Sequence, residues 1–275
     1  MGLKVSPANF PDKKGKTSMY YHISMPFDKQ AEYQVFAKEK LGFEFNDISL
    51  FITALTHRSY VNEHRSNAAH NERLEFLGDA ILELVTSDYL FRTYHQPEGV
   101  MTAWRAALVN TDSISAAGVA LGYPPLVRLS RGESAGSDRA HAVIYADCFE
   151  AIIGAIYLDQ GYQTASDFIH KHIIVKLPEI LENDTWRDPK SLLQEIVQSK
   201  LSAVPDYQLI TASGPDHDRV FTVRVVIGEE EFGIGTGHSK QEAQVAAARE
   251  AIQVLRKRGV YEPKKFEPIA KEPRL

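Results

Sequence analysis

The sequence predicts a helical domain followed by a small α+β domain in which three strands lie between two helices. Hydrophobic residues recur at the spacing of helices from residue 31 to about residue 181. After residue 188 the pattern changes to one helical stretch, three short stretches of alternating apolar and polar residues, and a second helical stretch. Two helices covering one face of a small sheet account for that order. We therefore expect an all-α domain followed by an α-β-β-β-α domain.

Changes in composition set the expected boundaries. Residues 1–30 mix Pro, Lys, Gly and Ser without a sustained apolar period, which is typical of a flexible extension. The helical domain is expected to occupy residues 31–181, followed by a polar linker at 182–187. The α+β domain then covers residues 188–258, and a C-terminal tail covers 259–275.

Composition and charge limit the compartment and the partners. The chain has 275 residues, enough for one helical domain and one smaller domain, and its formal net charge is −5. A single cysteine, Cys148, excludes an intrachain disulfide, and no run of about 18 apolar residues is present. We therefore expect a cytoplasmic protein that spans no membrane. The acidic total argues against a nucleic-acid partner unless bound divalent cations neutralise some of the carboxylates.

The segment HNERLEFLGDAILEL, residues 70–84, carries acids on one face of an amphipathic helix. Glu72, Glu75 and Asp79 stack within two turns, opposite an apolar stripe formed by Leu74, Leu77, Ile81, Leu84 and Val85. A solvated face is the ordinary explanation, but such faces usually interleave Lys or Arg. Glu83 shares the acidic face, so the spacing does not show where an acidic site would end.

A second helical segment, residues 144–161, is the expected neighbour of the first. Phe149, Ile152 and Ile156 form its apolar stripe, and Asp147 and Glu150 are paired one turn apart. Its small residues, like those of the first segment, allow two helices to cross closely. If they do, four carboxylates converge, which is unfavourable without cations. All-oxygen ligands favour Mg²⁺ or Mn²⁺, and such a group suits two-metal hydrolysis of a phosphodiester.

These segments resemble the ribonuclease III family of double-strand-specific endoribonucleases. NERLEFLGDAIL (71–82) is similar to the family signature, and ALTHRSY, EGVMTAWRAALVN and ADCFEAIIGAIYLDQG are similar to its other blocks in the same order. The resemblance implies that Mg²⁺, with Mn²⁺ able to substitute, is held by four residues: Glu75, Asp79, Asp147 and Glu150. It implies that Glu72 and Glu98 assist the site, whereas Glu83 matches no functional position.

The resemblance also implies an activity and an assembly. It implies cleavage of double-stranded RNA to 5′-phosphate and 3′-hydroxyl ends, with precursors of ribosomal RNA and other structured RNAs, including messenger RNA, as substrates. The family forms homodimers in which an aromatic residue at the position of Phe76 enters a cavity of the partner, so that two sites cut both strands. The alternative is that Phe76 packs inside its own domain.

The α+β domain resembles a double-stranded RNA-binding domain. Its first helix is expected to begin with Asp188 as N-cap and Pro189, and its last helix with a capping box. The loops GPDH (214–217) and GTGHSKQEA (235–243) are similar to the hallmark loops of that domain. The resemblance implies RNA contacts from Gln194, His217 and Lys240, on the minor grooves and phosphates of an A-form duplex.

One departure weakens the expected RNA binding. Most relatives have a second Lys directly after the position of Lys240, and this chain has Gln241. Residues 186–258 carry ten basic and ten acidic side chains. We therefore expect weak binding by this domain alone and a shallow dependence on salt.

Two other functions are compatible with parts of the pattern. A non-catalytic RNA-binding relative would keep the fold, but such relatives usually lose acids of the catalytic valley, and all six matching positions hold acids here. A helical di-iron protein would also gather carboxylates, but it needs Glu-x-x-His pairs. No Glu lies three residues before any His in this chain. The sequence therefore predicts an endoribonuclease.

Overall fold

The computed structural model describes residues 27–65, 67–215 and 219–269. They form two compact units, which divide after residue 177, and the short segment that begins at residue 268 belongs to the first unit. Most of the predicted N-terminal extension and residues 270–275 of the predicted tail lie outside the described residues.

The first unit is built from helices. Its described residues contain no strand beyond a single parallel bridge between Thr56 and Arg128. In chain order its helices are α1 (Phe27–Phe36), continued by a π-helical turn (Ala37–Leu41), α2 (Ile48–Ala54), α3 (Arg58–Glu63), α4 (Glu72–Thr93), α5 (Glu98–Val109), α6 (Thr111–Leu121), α7 (Arg131–Ser134), α8 (Asp138–Gln160), α9 (Tyr162–His172) and α10 (Leu177–Glu182), which continues into the second unit.

Helix α8 is the central element of the first unit. It packs on α2, α4, α6 and α9, and the predicted stripe of Phe149, Ile152 and Ile156 is fully buried. Ser137 caps the helix by accepting a hydrogen bond from the Ala140 backbone N–H. The segment is long and apolar enough for a membrane span, yet 56% of its most apolar window is buried inside the protein. That burial is what a core helix needs.

The apolar stripe predicted for α4 is wrong at one position. Leu74, Ile81 and Val85 are buried, but Leu84 is 57% exposed, while Leu82 is fully buried. Helix α4 contacts α8 along one side and α5 and α9 along others, so its buried surface is wider than a single stripe. A helix covered from several directions buries residues that a two-sided wheel assigns to solvent.

The second unit confirms the predicted α+β fold. Helix α11 (Pro189–Leu201) is followed by β1 (Pro205–Ser213), β2 (Val220–Ile227), β3 (Glu230–Gly237) and α12 (Lys240–Lys257). The strands form an antiparallel sheet in the order β1-β2-β3, with a register shift between Leu209 and Thr211. Both helices pack on the sheet around one core, whose largest side chains belong to Leu192, Leu193, Ile196, Val197, Val225, Ile227, Phe232, Ile252 and Leu255.

The N-terminal cap of α11 is as predicted, and that of α12 differs from the prediction in one hydrogen bond. Asp188 accepts a hydrogen bond from Ser191 N at 2.8 Å and Pro189 begins α11, as predicted. At α12, Ser239 Oγ accepts from the Glu242 backbone N–H at 3.1 Å. The Glu242 carboxylate, however, accepts from His238 N at 2.9 Å. The return bond of the capping box therefore falls one residue earlier than predicted.

Residues on either side of the predicted α+β domain pack against it. Tyr261 donates a hydrogen bond to the buried carboxylate of Asp184 at 2.6 Å, and Arg256 of α12 lies 3.5 Å from the same carboxylate. The Trp186 and Phe266 rings meet edge to face at 6.2 Å. The second unit accordingly covers residues 178–267, apart from the undescribed residues 216–218.

Candidate active site and RNA-binding surface

The close crossing of α4 and α8 positions the acidic residues. A Cβ added at Gly78 would overlap the backbone carbonyl oxygen of Glu150, and one added at Gly154 would overlap that of Leu74. The two backbones are therefore in direct contact at these glycines. The predicted crossing at small residues is confirmed for Gly78 and Gly154.

Two acids from each helix interact electrostatically at this crossing. Burial raises the pKa of Glu75, and the charges of Asp147, Glu72 and Asp79 raise it further. Burial, followed by the charges of Asp79, Glu75, Asp147 and, least, Glu83, raises the pKa of Glu150 to about 8. The structure thus brings Glu75, Asp79, Asp147 and Glu150 into one region. We call these four residues the acidic quartet.

The acidic quartet does not form a tight cage in this structure. Within the described ranges, no three carboxylate, imidazole or thiol groups are close enough to hold one metal ion between them. Neighbouring carboxylates repel one another, and this repulsion contributes to the raised pKa values of Glu75 and Glu150. All four donors are oxygen ligands, which is the chemistry that Mg²⁺ and Mn²⁺ prefer.

His57 is a neighbour of the quartet that the sequence left without a role in it. The pKa of Asp147 is raised by burial, and the His57 imidazole partly opposes that rise. The same ring caps α3, because its Nδ1 accepts from Ser59 N at 3.3 Å and lies 2.8 Å from Ser59 Oγ. His57 and Asp147 are far apart in the chain, so only the tertiary structure reveals that the imidazole lies close enough to act on the carboxylate.

The two further acids named from the sequence lie in different surroundings. Glu72, in the first turn of α4, lies 3.3 Å from Arg58 Nη1, and its charge acts on Glu75. Glu98, in the first turn of α5, accepts a hydrogen bond from Thr102 Oγ1 at 3.0 Å. Glu98 is not among the groups that shift the pKa of Glu75, Asp147 or Glu150. In the single chain it lines a separate pocket, whose walls include none of the four quartet residues.

That pocket lies between α4 and α5 and has a volume of about 430 Å³. Its walls include Leu84, Phe91, Glu98, Met101 and Arg105. Arg105 Nε lies 2.8 Å from a Glu83 carboxylate oxygen, and Arg105 Nη1 donates to Ser87 Oγ at 2.9 Å. Arg105 therefore joins α5 to α4 at one wall of the pocket. We call it the α4–α5 pocket.

Phe76 projects from α4 into solvent in the single chain. Its side chain is 82% exposed, more than that of any other large hydrophobic residue in the described ranges. The alternative prediction, that Phe76 packs inside its own domain, is therefore wrong. Leu84 and Phe91 are also exposed on α4, at 57% and 73%. Together they give α4 an uncovered apolar surface of a kind that marks interaction sites.

In the second unit the predicted RNA contacts lie on two neighbouring helices. Gln194 is exposed on α11, and Lys240 is exposed at the first position of α12. Helices α11 and α12 pack against each other. His217, the third predicted contact, lies outside the described residues.

Comparison with known proteins gives the same division into two parts. Residues 47–177 match the family model described as Ribonuclease-III-like, and residues 189–255 match the double-stranded RNA binding motif. Ribonuclease 3 of Latilactobacillus sakei is 42% identical over 221 residues, which cover 80% of this chain and 96% of that protein. Ribonuclease 3 of Treponema denticola is 38% identical over 247 residues, covering 90% of this chain and 96% of that protein.

The chain belongs to the ribonuclease III family. It is therefore an endoribonuclease that acts on double-stranded RNA, and the resemblance seen in the sequence is confirmed. Among solved structures, the nuclease domain of ribonuclease III from Campylobacter jejuni is 37% identical, with a TM-score of 0.45, and the match covers 50% of this chain and 96% of that domain.

Proposed function

We propose that this protein hydrolyses double-stranded RNA with two Mg²⁺ ions held by the acidic quartet, leaving 5′-phosphate and 3′-hydroxyl ends. The proposal rests mainly on one observation. The acidic quartet lies at a crossing of α4 and α8 that leaves no room for a side chain at Gly78 or Gly154, and the charges of its members raise the pKa of Glu75 and of Glu150. Acids that raise one another's pKa favour binding of divalent cations, and Mn²⁺ offers the same chemistry.

The residues of the chain prepare the site in three ways. Glu150, whose pKa is raised to about 8, releases its proton as a cation binds. Glu72, beside Arg58, adds negative charge next to Glu75. Gly78 and Gly154 fix the distance between the two helices, and hence between the two pairs of acids. Bound divalent ions supply the positive charge that stabilises the attacking and leaving oxygens of the phosphodiester.

The proposed active form is a homodimer. The exposed Phe76 of one copy fits the α4–α5 pocket of the other, whose walls include Leu84, Phe91 and Met101. A two-fold axis would repeat this contact and place two sites along one duplex. Because Glu98 lines the same pocket, a partner's Phe76 seated there would bring the partner's Glu75 toward Glu98. That arrangement gives Glu98 a part in the site despite its distance from the quartet within one chain.

One assay tests the cleavage chemistry. Full-length protein is incubated with an end-labelled RNA duplex in EDTA, in Mg²⁺ and in Mn²⁺, with single-stranded RNA and a DNA duplex of the same sequence as controls. We expect cleavage of the RNA duplex alone, only with the ions, and products whose 5′ ends carry phosphate. Cleavage in EDTA, or products with a 5′-hydroxyl, would refute the proposed mechanism.

The physiological substrates that we propose are precursors of ribosomal RNA and other structured RNAs, including messenger RNA. Support comes from the combination of a nuclease unit with a duplex-binding unit, since folded precursors contain long paired stems. Depletion of the protein in its host should lead to accumulation of unprocessed ribosomal RNA precursors, measured by primer extension. Location in the cytoplasm stays a prediction.

A further inference from the structure

Basic side chains of the second unit differ in how they are held. Four arginines are each paired with a carboxylate, which offsets part of their charge: Arg187 with Glu195, Arg224 with Glu231, Arg256 with Asp184, and Arg258 with Glu230. The ammonium group of Lys190 is also held in place, but its contacts are with neutral groups.

Lys190 lies between an amide and an aromatic ring. Its Nζ donates a hydrogen bond to Gln244 Oε1 at 2.7 Å and lies 4.9 Å from the centre of the Tyr207 ring. Within the described part of the chain Lys190 forms no ion pair. The nearby Asp188 carboxylate is occupied by the Ser191 N–H and hydroxyl, both at 2.8 Å. The ammonium group therefore makes its close contacts with neutral groups. Asp188, whose pKa is lowered mainly by its hydrogen bonds from Ser191 and less by the charge of Lys190, does not pair with it.

The position of Lys190 relates it to both predicted RNA contacts. Lys190 and Gln194 are one helical turn apart on α11, so they share a face of that helix. Gln244 and Lys240 are likewise one turn apart on α12. The bond between Lys190 and Gln244 thus joins the face that carries Gln194 to the face that carries Lys240. A positive charge lies between them.

We propose that Lys190 is a further RNA-binding residue of this protein and contacts a backbone phosphate of the duplex. A cation ordered before binding loses less side-chain entropy on contact than a free lysine does. Its remaining N–H groups are available to a phosphate oxygen. Lys190 also adds charge to a surface in which Gln241 follows Lys240 and the total charge is balanced. The proposal rests on the assignment of the Gln194 and Lys240 surface to RNA.

Salt-dependent binding of full-length variants tests the proposal. Binding of a fluorescent RNA duplex is measured by anisotropy in EDTA over a range of salt concentrations, and a gel verifies that the duplex stays intact. The variants are Lys190→Gln, Lys190→Arg, Lys240→Gln and the control Lys200→Gln, which removes one exposed charge near the other end of α11. Thermal unfolding shows that each variant is folded.

Lys190→Gln should weaken binding about tenfold at low salt and reduce the salt slope by about 0.7 to 0.9, as expected for one lost phosphate contact. Lys190→Arg should restore most of both values. A loss no larger than that of Lys200→Gln, or a weaker affinity with an unchanged slope, would overturn the phosphate contact. If Lys240→Gln also binds like the parent, the failure belongs to the proposed surface and not to Lys190 alone.

Discussion

Gly78 of α4 lies directly against the backbone carbonyl oxygen of Glu150 in α8. Asp79 follows Gly78, and its charge acts on the Glu150 carboxyl group. The absence of a side chain at one position therefore determines how close two acids from distant parts of the sequence come. This relationship connects the stability of the fold with the chemistry of the site.

Gly78→Ala should destabilise the protein and reduce its activity. The added Cβ would overlap a backbone atom, which no rotamer change relieves, so we expect a loss of about 3 kcal/mol in the free energy of unfolding. Gly99→Ala on α5 is the matched control, because its Cβ would meet nothing within 4 Å. That variant should be neutral or more stable by about 0.4–1 kcal/mol. Urea denaturation compares them, and equal effects would contradict the close crossing.

Asp79→Asn and Glu150→Gln should each lower kcat by about 100-fold or more while leaving the affinity for the RNA duplex nearly unchanged. Both substitutions keep the shape and remove the charge that holds a cation. Asp167→Asn, on α9, where the carboxylate accepts a hydrogen bond from Gln163 at 2.9 Å, should cleave at nearly the parental rate. Single-turnover cleavage measures the rate of the chemical step, and binding in EDTA measures the affinity for the RNA duplex. Parental turnover in either quartet variant would refute its assignment.

The metal-free protein should lose stability as the pH rises from about 5 to 8. The pKa of Glu150 is raised from 4.5 to about 8, so the folded protein holds a proton that the unfolded chain releases. This contribution is complete below pH 4.5 and is lost as the pH passes 8. Urea midpoints in EDTA measure it, and Glu150→Gln should show a flatter profile. A urea midpoint that rises with pH in the parent but not in Glu150→Gln would contradict the raised pKa of Glu150.

Added Mg²⁺ should change the sign of that pH dependence. Carboxylates must lose their protons to bind a cation, so the stabilisation by Mg²⁺ is expected to grow as the pH rises through the same range. Calorimetric titration with Mn²⁺ in two buffers of different ionisation enthalpy should detect the released protons. Binding without proton release near pH 6.5 would show that the ion does not bind Glu150.

Phe76→Ala should weaken dimerisation without destabilising the single chain. The side chain is 82% exposed, so the monomer should change by less than about 0.5 kcal/mol. An aromatic anchor seated in a partner's pocket contributes about 2 kcal/mol or more, which predicts a dissociation constant roughly 30-fold higher. Sedimentation measures the dimer, and Val119→Ala, an exposed apolar position on α6, is the control. An unchanged dimer would exclude Phe76 from the interface.

Local patterns were sufficient for the order of the elements and for much of their capping. Alternation predicted three strands, and helical spacing predicted the buried stripe of Phe149, Ile152 and Ile156. These features depend on neighbours a few residues apart, which a sequence displays directly. The polar segment 130–139 shows the limit, because its composition is typical of a loop and yet it contains α7 and the first two residues of α8.

The sequence by itself determined the family, the fold class and which acids to examine. Only the tertiary structure decided that Phe76 is exposed while Glu98 lines a separate pocket, that Leu84 leaves the core, and that Lys190 is held between Tyr207 and Gln244. Helical periodicity gives the direction in which a side chain points but not what covers it. Burial and charge coupling depend on contacts between residues far apart in the chain, so they exist only once the helices and strands have packed.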